Sequence, residues 1–122
     1  MSTLTTTPIP LRAERNPRLL AQFTFTTNDE SVYTVPSDRV AFVSAIVVCN
    51  THTSATTFRV HHTRPGAASA IANAQYYDAR LANGATVIDE TERPLLPGES
   101  LRGKAGVTGV VAVAVYGREG TA

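Results

Sequence analysis

The sequence predicts an all-β fold: a single antiparallel β-sandwich, jelly-roll or Ig-like, of about eight strands, preceded by an extended N-terminal arm. Three observations carry this. From Ala21 onward apolar and polar residues alternate with period two. Turn-forming residues recur about every 8–12 positions, the spacing of short antiparallel strands. The longest apolar stretch, Arg39 to Cys49 (RVAFVSAIVVC), is rich in β-branched residues, which favour a strand over a buried helix.

Residues 1–20 read as the arm and 21–122 as the sandwich domain. Thr3 to Thr7 is a polar β-branched tract, and Pro8, Pro10 and Pro17 forbid a regular helix. Pro8-Ile9-Pro10 favours an extended path, because proline also drives its predecessor out of the helical region. Fully extended, eighteen residues reach up to about 60 Å. Phe23 and Phe25 then share one side of a first strand, with Thr24 and Thr26 on the other. Asn28-Asp29-Glu30 turns the chain into a short strand over Ser31 to Val35, which Pro36-Ser37-Asp38 ends.

Arg39 to Cys49 is apolar on both sides, as expected of a central strand with one face on the core and the other covered or meeting another subunit. After a polar loop, Asn50 to Ser54, the next strand runs from Ala55 to Thr63, and Arg64-Pro65-Gly66 turns the chain. The Ala-rich segment 67–74 suits a single helical turn on a long connection. Gln75 to Leu81 alternates again. Asn83-Gly84 is the strongest hairpin signal, with 85–90 as its return strand. Pro94 and Pro97-Gly98 mark a loop, Glu99 to Gly103 a short strand, and Val107 to Gly117 the last one.

The chain has 122 residues, 43% hydrophobic and 17% charged, so it has enough apolar side chains for one core and too few charges for a disordered chain. No run of 18 apolar residues is present, and the first ten residues lack a charged segment followed by an apolar one, so neither a membrane span nor a secretory signal is expected. Eleven basic residues balance ten acidic ones, too evenly for a nucleic-acid binder. Arg12, Arg15 and Arg18 against Glu14 nevertheless give residues 1–18 a net +2, leaving −1 for the rest.

Candidates for chemistry are few. His61 and His62 are adjacent on a strand and point to opposite faces, so they cannot chelate one ion together. Cys49 ends the most apolar strand and reads as a small buried hydrophobe. Asp89, Glu90 and Glu92 read as a solvated, aggregation-resisting edge. There is no nucleophile elbow and no glycine-rich phosphate loop. No catalytic residue, metal or cofactor is therefore expected. Of Tyr76 and Tyr77, one must point inward and the other to a surface, so this pair supplies the candidate surface or ligand contacts.

The stretch from Ser31 to Gly66, SVYTVPSDRVAFVSAIVVCNTHTSATTFRVHHTRPG, resembles a family of small virion proteins of tailed bacteriophages. In that family a YTVP strand precedes a hydrophobic strand ending in VVCN, a polar loop, an ATFR strand and an RPG turn. NAQYYDARLANGATV and LLPGESLRG resemble later family segments, with Glu99 where aspartate is usual. The similarity spans about residues 21–117 and omits the arm. It implies a non-enzymatic β-sandwich of the virion, a capsid decoration (cement) protein or a tail-associated module.

On this reading the protein stabilises the head through inter-subunit contacts. Its partners are the major capsid protein or other virion subunits, it forms a homo-oligomer, and it binds neither nucleic acid nor membrane. It is located in the virion, assembled in the bacterial host cytoplasm. Ile9, Leu11, Arg12, Arg15 and Arg18 are the expected partner-binding residues of the arm. The alternative is a tail fibre or baseplate module, or an adhesin for host-surface glycans, with Tyr76 or Tyr77 at its site.

Overall fold

A computed structural model describes residues 16–122. Nine strands form two antiparallel sheets: β1 (Arg18–Thr24), β2 (Glu30–Thr34), β3 (Arg39–Asn50), β4 (Thr56–Thr63), β5 (Ala74–Leu81), β6 (Thr86–Asp89), β7 (Arg93–Leu95), β8 (Ser100–Ala105) and β9 (Val111–Thr121). The first sheet has the order β1-β9-β3-β6, with β7 also paired to β3, and the second the order β2-β8-β4-β5. Counting β6 and β7 as one interrupted strand, the pairs β1·β9, β2·β8, β3·β6 and β4·β5 are those of a long hairpin wound into two sheets. This is the jelly-roll path, the first of the two topologies the sequence allows.

The core lies between the sheets. Phe25, Val43, Ile46, Val48, Leu95, Val111 and Val115 meet Val35, Phe58, Leu101 and Tyr33 there, all buried. Gly103 makes room for Phe25, since a Cβ at that position would lie 2.7 Å from the phenyl ring and against the carbonyl of Arg59. Polar ties join the sheets at their ends. Buried Asn50, on the end of β3, donates through Nδ2 to Leu81 O at 3.0 Å, to Ala82 O at 3.1 Å and to Ser54 O at 3.0 Å, and its Oδ1 accepts from the His52 amide at 2.9 Å. Tyr33 donates to Glu119, and Tyr76 to Asp89.

Four expectations need correction. The Asn83-Gly84 turn forms, with Gly84 at φ 69° and the Ala85 amide bonded to Ala82 O, yet β6 pairs with β3 and not with β5. In the jelly roll β5 already has β4 as its partner, so the chain crosses to the other sheet instead of doubling back. The last strand begins at Val111, because residues 106–110 turn with Gly109 at φ 84°. Pro94 lies inside β7 opposite Phe42, at a sheet edge where its missing N–H is tolerated. Finally, β1 opens at Arg18, so residues 18–20, assigned to the arm, belong to the sheet.

Candidate interaction surfaces

The outward side of the first sheet is one candidate surface. Cross-strand register aligns Ile88, Val47, Ala114 and Gln22 in one row, and Ala45, Tyr116 and Leu19 in the next. Cys49, Ala112 and Thr24 form a third. None of these side chains is charged. Ile88 is 63% exposed, Leu19 40% and Tyr116 38%. A shallow groove of about 560 Å³ runs along Val47, Cys49, Ala112 and Ala114. The two-sided apolar character of β3 thus has a structural outcome: one side faces the core, and no element among the described residues covers the other. Cys49 is a free thiol on this outer side, half-buried, and not the core residue the sequence suggested.

The outward side of the second sheet is polar and is shaped by a bulge. Phe58 pairs with Ala79 and Val60 with Tyr76, so Arg59 faces both Tyr77 and Asp78. Asp78 has φ 52°, which turns two consecutive side chains to one face. Arg59 uses both: its guanidinium lies 3.9 Å from the Tyr77 ring centroid, and its Nε and Nη2 donate to the Asp78 carboxylate at 2.7 and 3.0 Å. These bonds hold Asp78 below the usual carboxylate range and raise Arg59. Lys104 stands directly across from Arg59.

A 3₁₀ turn, Ile71–Asn73, and the loop before it close over this face and form a pocket of about 370 Å³. His61, only 3% exposed, forms part of its wall with Tyr77, Ser69 and Lys104. The His61 Nδ1 lies 3.0 Å from Ala70 O and 2.8 Å from Asn73 Oδ1. Asn73 Nδ2 donates to Ala68 O, which fixes that amide's orientation. Both neighbours of Nδ1 are therefore acceptors, so Nδ1 carries a proton.

The structure separates the two tyrosines as strand alternation requires. Tyr77 is outward and 48% exposed. Tyr76 packs its ring 5.1 Å from Phe58 and donates to Asp89 Oδ2 at 2.7 Å. It is a sheet-joining residue. Burial and the Asp89 bond both raise its pKa. Arg18 lies in β1 and reaches Glu119 of its own chain at 3.2 Å. Ile9, Leu11, Arg12 and Arg15 lie outside the described residues.

The acidic edge is engaged in pairs. Asp89 bonds Arg93 at 2.6 Å, and Glu92 reaches Arg118 at 3.6 Å. His62 bonds Glu99, which also accepts the Leu96 amide and so closes the turn before β8. Among the described residues no three His, Cys, Asp or Glu side chains gather to hold a metal ion. No helix of the described residues is long and apolar enough to cross a membrane.

No family model matches the chain, and no curated protein matches it. Among solved structures, the fold is similar to a chain in the acidic stable capsid structure of the Helicobacter pylori bacteriophage KHP30. The TM-score is 0.51 and the identity 14%, over 83% of this chain and 86% of that one. The likeness is one of fold, and it covers most of both chains.

Proposed function

We propose that the protein is a non-enzymatic structural component of a tailed-phage virion, a decoration (cement) protein of the head. The observation that carries this reading is the open part of the outer face of the β1-β9-β3-β6 sheet, from Leu19 and Tyr116 to Cys49 and Ile88, which carries no charge and is bordered by Arg118 over Phe42. Contiguous apolar surface of this kind marks an interaction site in a soluble domain. The jelly roll is a fold of viral capsid domains, and similarity to a phage capsid chain supports the same reading.

In this mechanism the sheet face docks on capsid subunits or on another copy of the chain, and residues 1–15 reach across the interface. Ile9 and Leu11 bury apolar area there, and Arg12 and Arg15 pair with acidic groups of the neighbour. Burial of two such aliphatic side chains contributes about 3–6 kcal/mol. Ordering the arm costs about 1–2 kcal/mol per residue. The arm therefore also needs backbone hydrogen bonds, as strand addition to a neighbouring sheet would supply. Arg18, at the start of β1 and bonded to Glu119, stands where the arm meets the sheet.

Deletion of residues 2–15 tests the mechanism, because it leaves β1 and the core formed by the described residues in place. The truncated protein should fold with an unchanged melting temperature and fail to occupy particles that lack the natural protein. Full occupancy by the truncated protein would contradict it.

A further inference from the structure

We propose that the pocket between the second sheet and the 67–73 loop binds a sugar unit bearing a carboxylate, of the uronic-acid class. Three independent features converge there, and none is used by the core.

The first is His61. Its Nε2 has no protein partner, yet every side-chain nitrogen or oxygen sealed from solvent among the described residues has one. Nε2 is therefore open, and on a ring that is otherwise buried the opening is into the pocket it lines. A ligand O–H, donor and acceptor at once, can bond it whether or not Nε2 carries a proton. A fully ionised phosphate or sulfate has none to give, whereas a sugar hydroxyl does.

The second is Lys104. Arg59 is committed to Asp78, and Arg102 to Asp29 at 2.9 Å. Among the described residues Lys104 makes no ion pair within 4 Å, and it stands across the strand from Arg59, a like-charge neighbour. Such a pairing is unfavourable unless anions join it, and Asp78, which bonds Arg59 and also attracts Lys104, sets one negative charge against these two positive ones. A ligand carboxylate would supply a second.

The third is Tyr77. The Arg59 guanidinium covers one face of its ring, and Tyr77 remains half exposed at the pocket wall. An aromatic surface with a polar tip suits the apolar C–H side of a pyranose. Ser69, whose hydroxyl donates to Asp29 at 2.6 Å, leaves its oxygen lone pairs for a second ligand hydroxyl. The pocket volume lies at the lower end of the range for small-molecule sites, as one sugar unit requires.

The test is an NMR titration of the full chain with galacturonate, galactose, acetate and trigalacturonate. Galacturonate should shift the amides of Ser69, Tyr77 and Lys104 and bind about tenfold more tightly than galactose or acetate, the effect of one charge-assisted hydrogen bond. Lys104→Gln should erase the preference over galactose, and Tyr77→Leu should weaken both sugars. Lys104→Gln changes a surface side chain, so it also serves where Tyr77→Leu disturbs the Arg59 stack. Tighter binding of trigalacturonate than of the monomer would assign the site to a polysaccharide, and equal binding to the free sugar. Equal binding of acetate and galacturonate, no shift with any sugar, or a preference that survives Lys104→Gln would overturn the proposal.

Discussion

Tyr76 and Asp89 face each other from opposite sheets, with the tyrosine hydroxyl donating to Oδ2 at 2.7 Å. The same oxygen accepts from Arg93 Nη2 at 2.6 Å, and Oδ1 takes the Thr91 amide at 2.9 Å. One carboxylate thereby joins β5 of one sheet to β6 and β7 of the other. The Arg93 bond, together with the Thr91 and Tyr76 bonds, outweighs the cost of burial and holds Asp89 far below the usual carboxylate range.

A pH dependence follows from Asp89. Because its folded-state pKa lies below the unfolded value of about 3.9, the stability it contributes is complete at neutral pH and is lost as the pH falls below about 5. Asp89→Asn should lower the unfolding free energy by about 3 kcal/mol at pH 7, since it leaves the buried Arg93 without its charge partner. The difference between variant and natural protein should shrink on acidification. Denaturant unfolding at pH 7 and pH 3 measures both.

Asn50 should prove as costly to remove. Asn50→Ala would leave the Leu81 and Ala82 carbonyls and the His52 amide without their partner at the end of the sandwich. A loss of about 3 kcal/mol is expected, from the buried Leu81 carbonyl and the two part-buried groups beside it. Chemical denaturation checks it.

Gly103→Ala should destabilise by about 1–3 kcal/mol through overpacking. The added Cβ meets both the Phe25 ring and the Arg59 carbonyl. Combining it with Phe25→Leu relieves only the ring contact, so the double variant should stay less stable than Phe25→Leu alone. Melting curves of the three variants decide this.

Charge placed on the open sheet face should separate folding from assembly. Ile88 is 63% exposed, so Ile88→Glu should change stability by no more than about 0.5 kcal/mol. It should nevertheless abolish particle binding, which sedimentation of particles with added protein reads out.

Much of the fold was legible in the residues. Period-two alternation and turn chemistry mark the two-sheet sandwich, and the strand predicted from Arg39 begins there. The Ala-rich segment holds the expected single helical turn. What local chemistry could not reveal is which strand a turn leads to. Asn83-Gly84 makes the tight turn its residues favour, but the wound hairpin had already given β5 its partner. Nor does alternation survive a bulge: placing Tyr77 and Asp78 on one face needs the left-handed backbone at Asp78, which nothing in the local pattern announces.

The surfaces were legible to a different degree. Both sides of β3 are apolar in the sequence, which predicted a second face that is covered or meets another subunit; among the described residues that face is uncovered. His61 read as half of an adjacent pair on a strand. Its role in the pocket depends on a loop nine to twelve residues further on, at Ala70 and Asn73. Asn50 carried one signal that could have been used: an asparagine ending an uninterrupted apolar strand is well placed to satisfy backbone groups where sheets meet.

The most direct test of the head-decoration account is immunogold labelling of intact particles, with gold counted separately on head and tail. Labels spread in many copies over the head are the predicted result. A few labels confined to the tail would contradict the account.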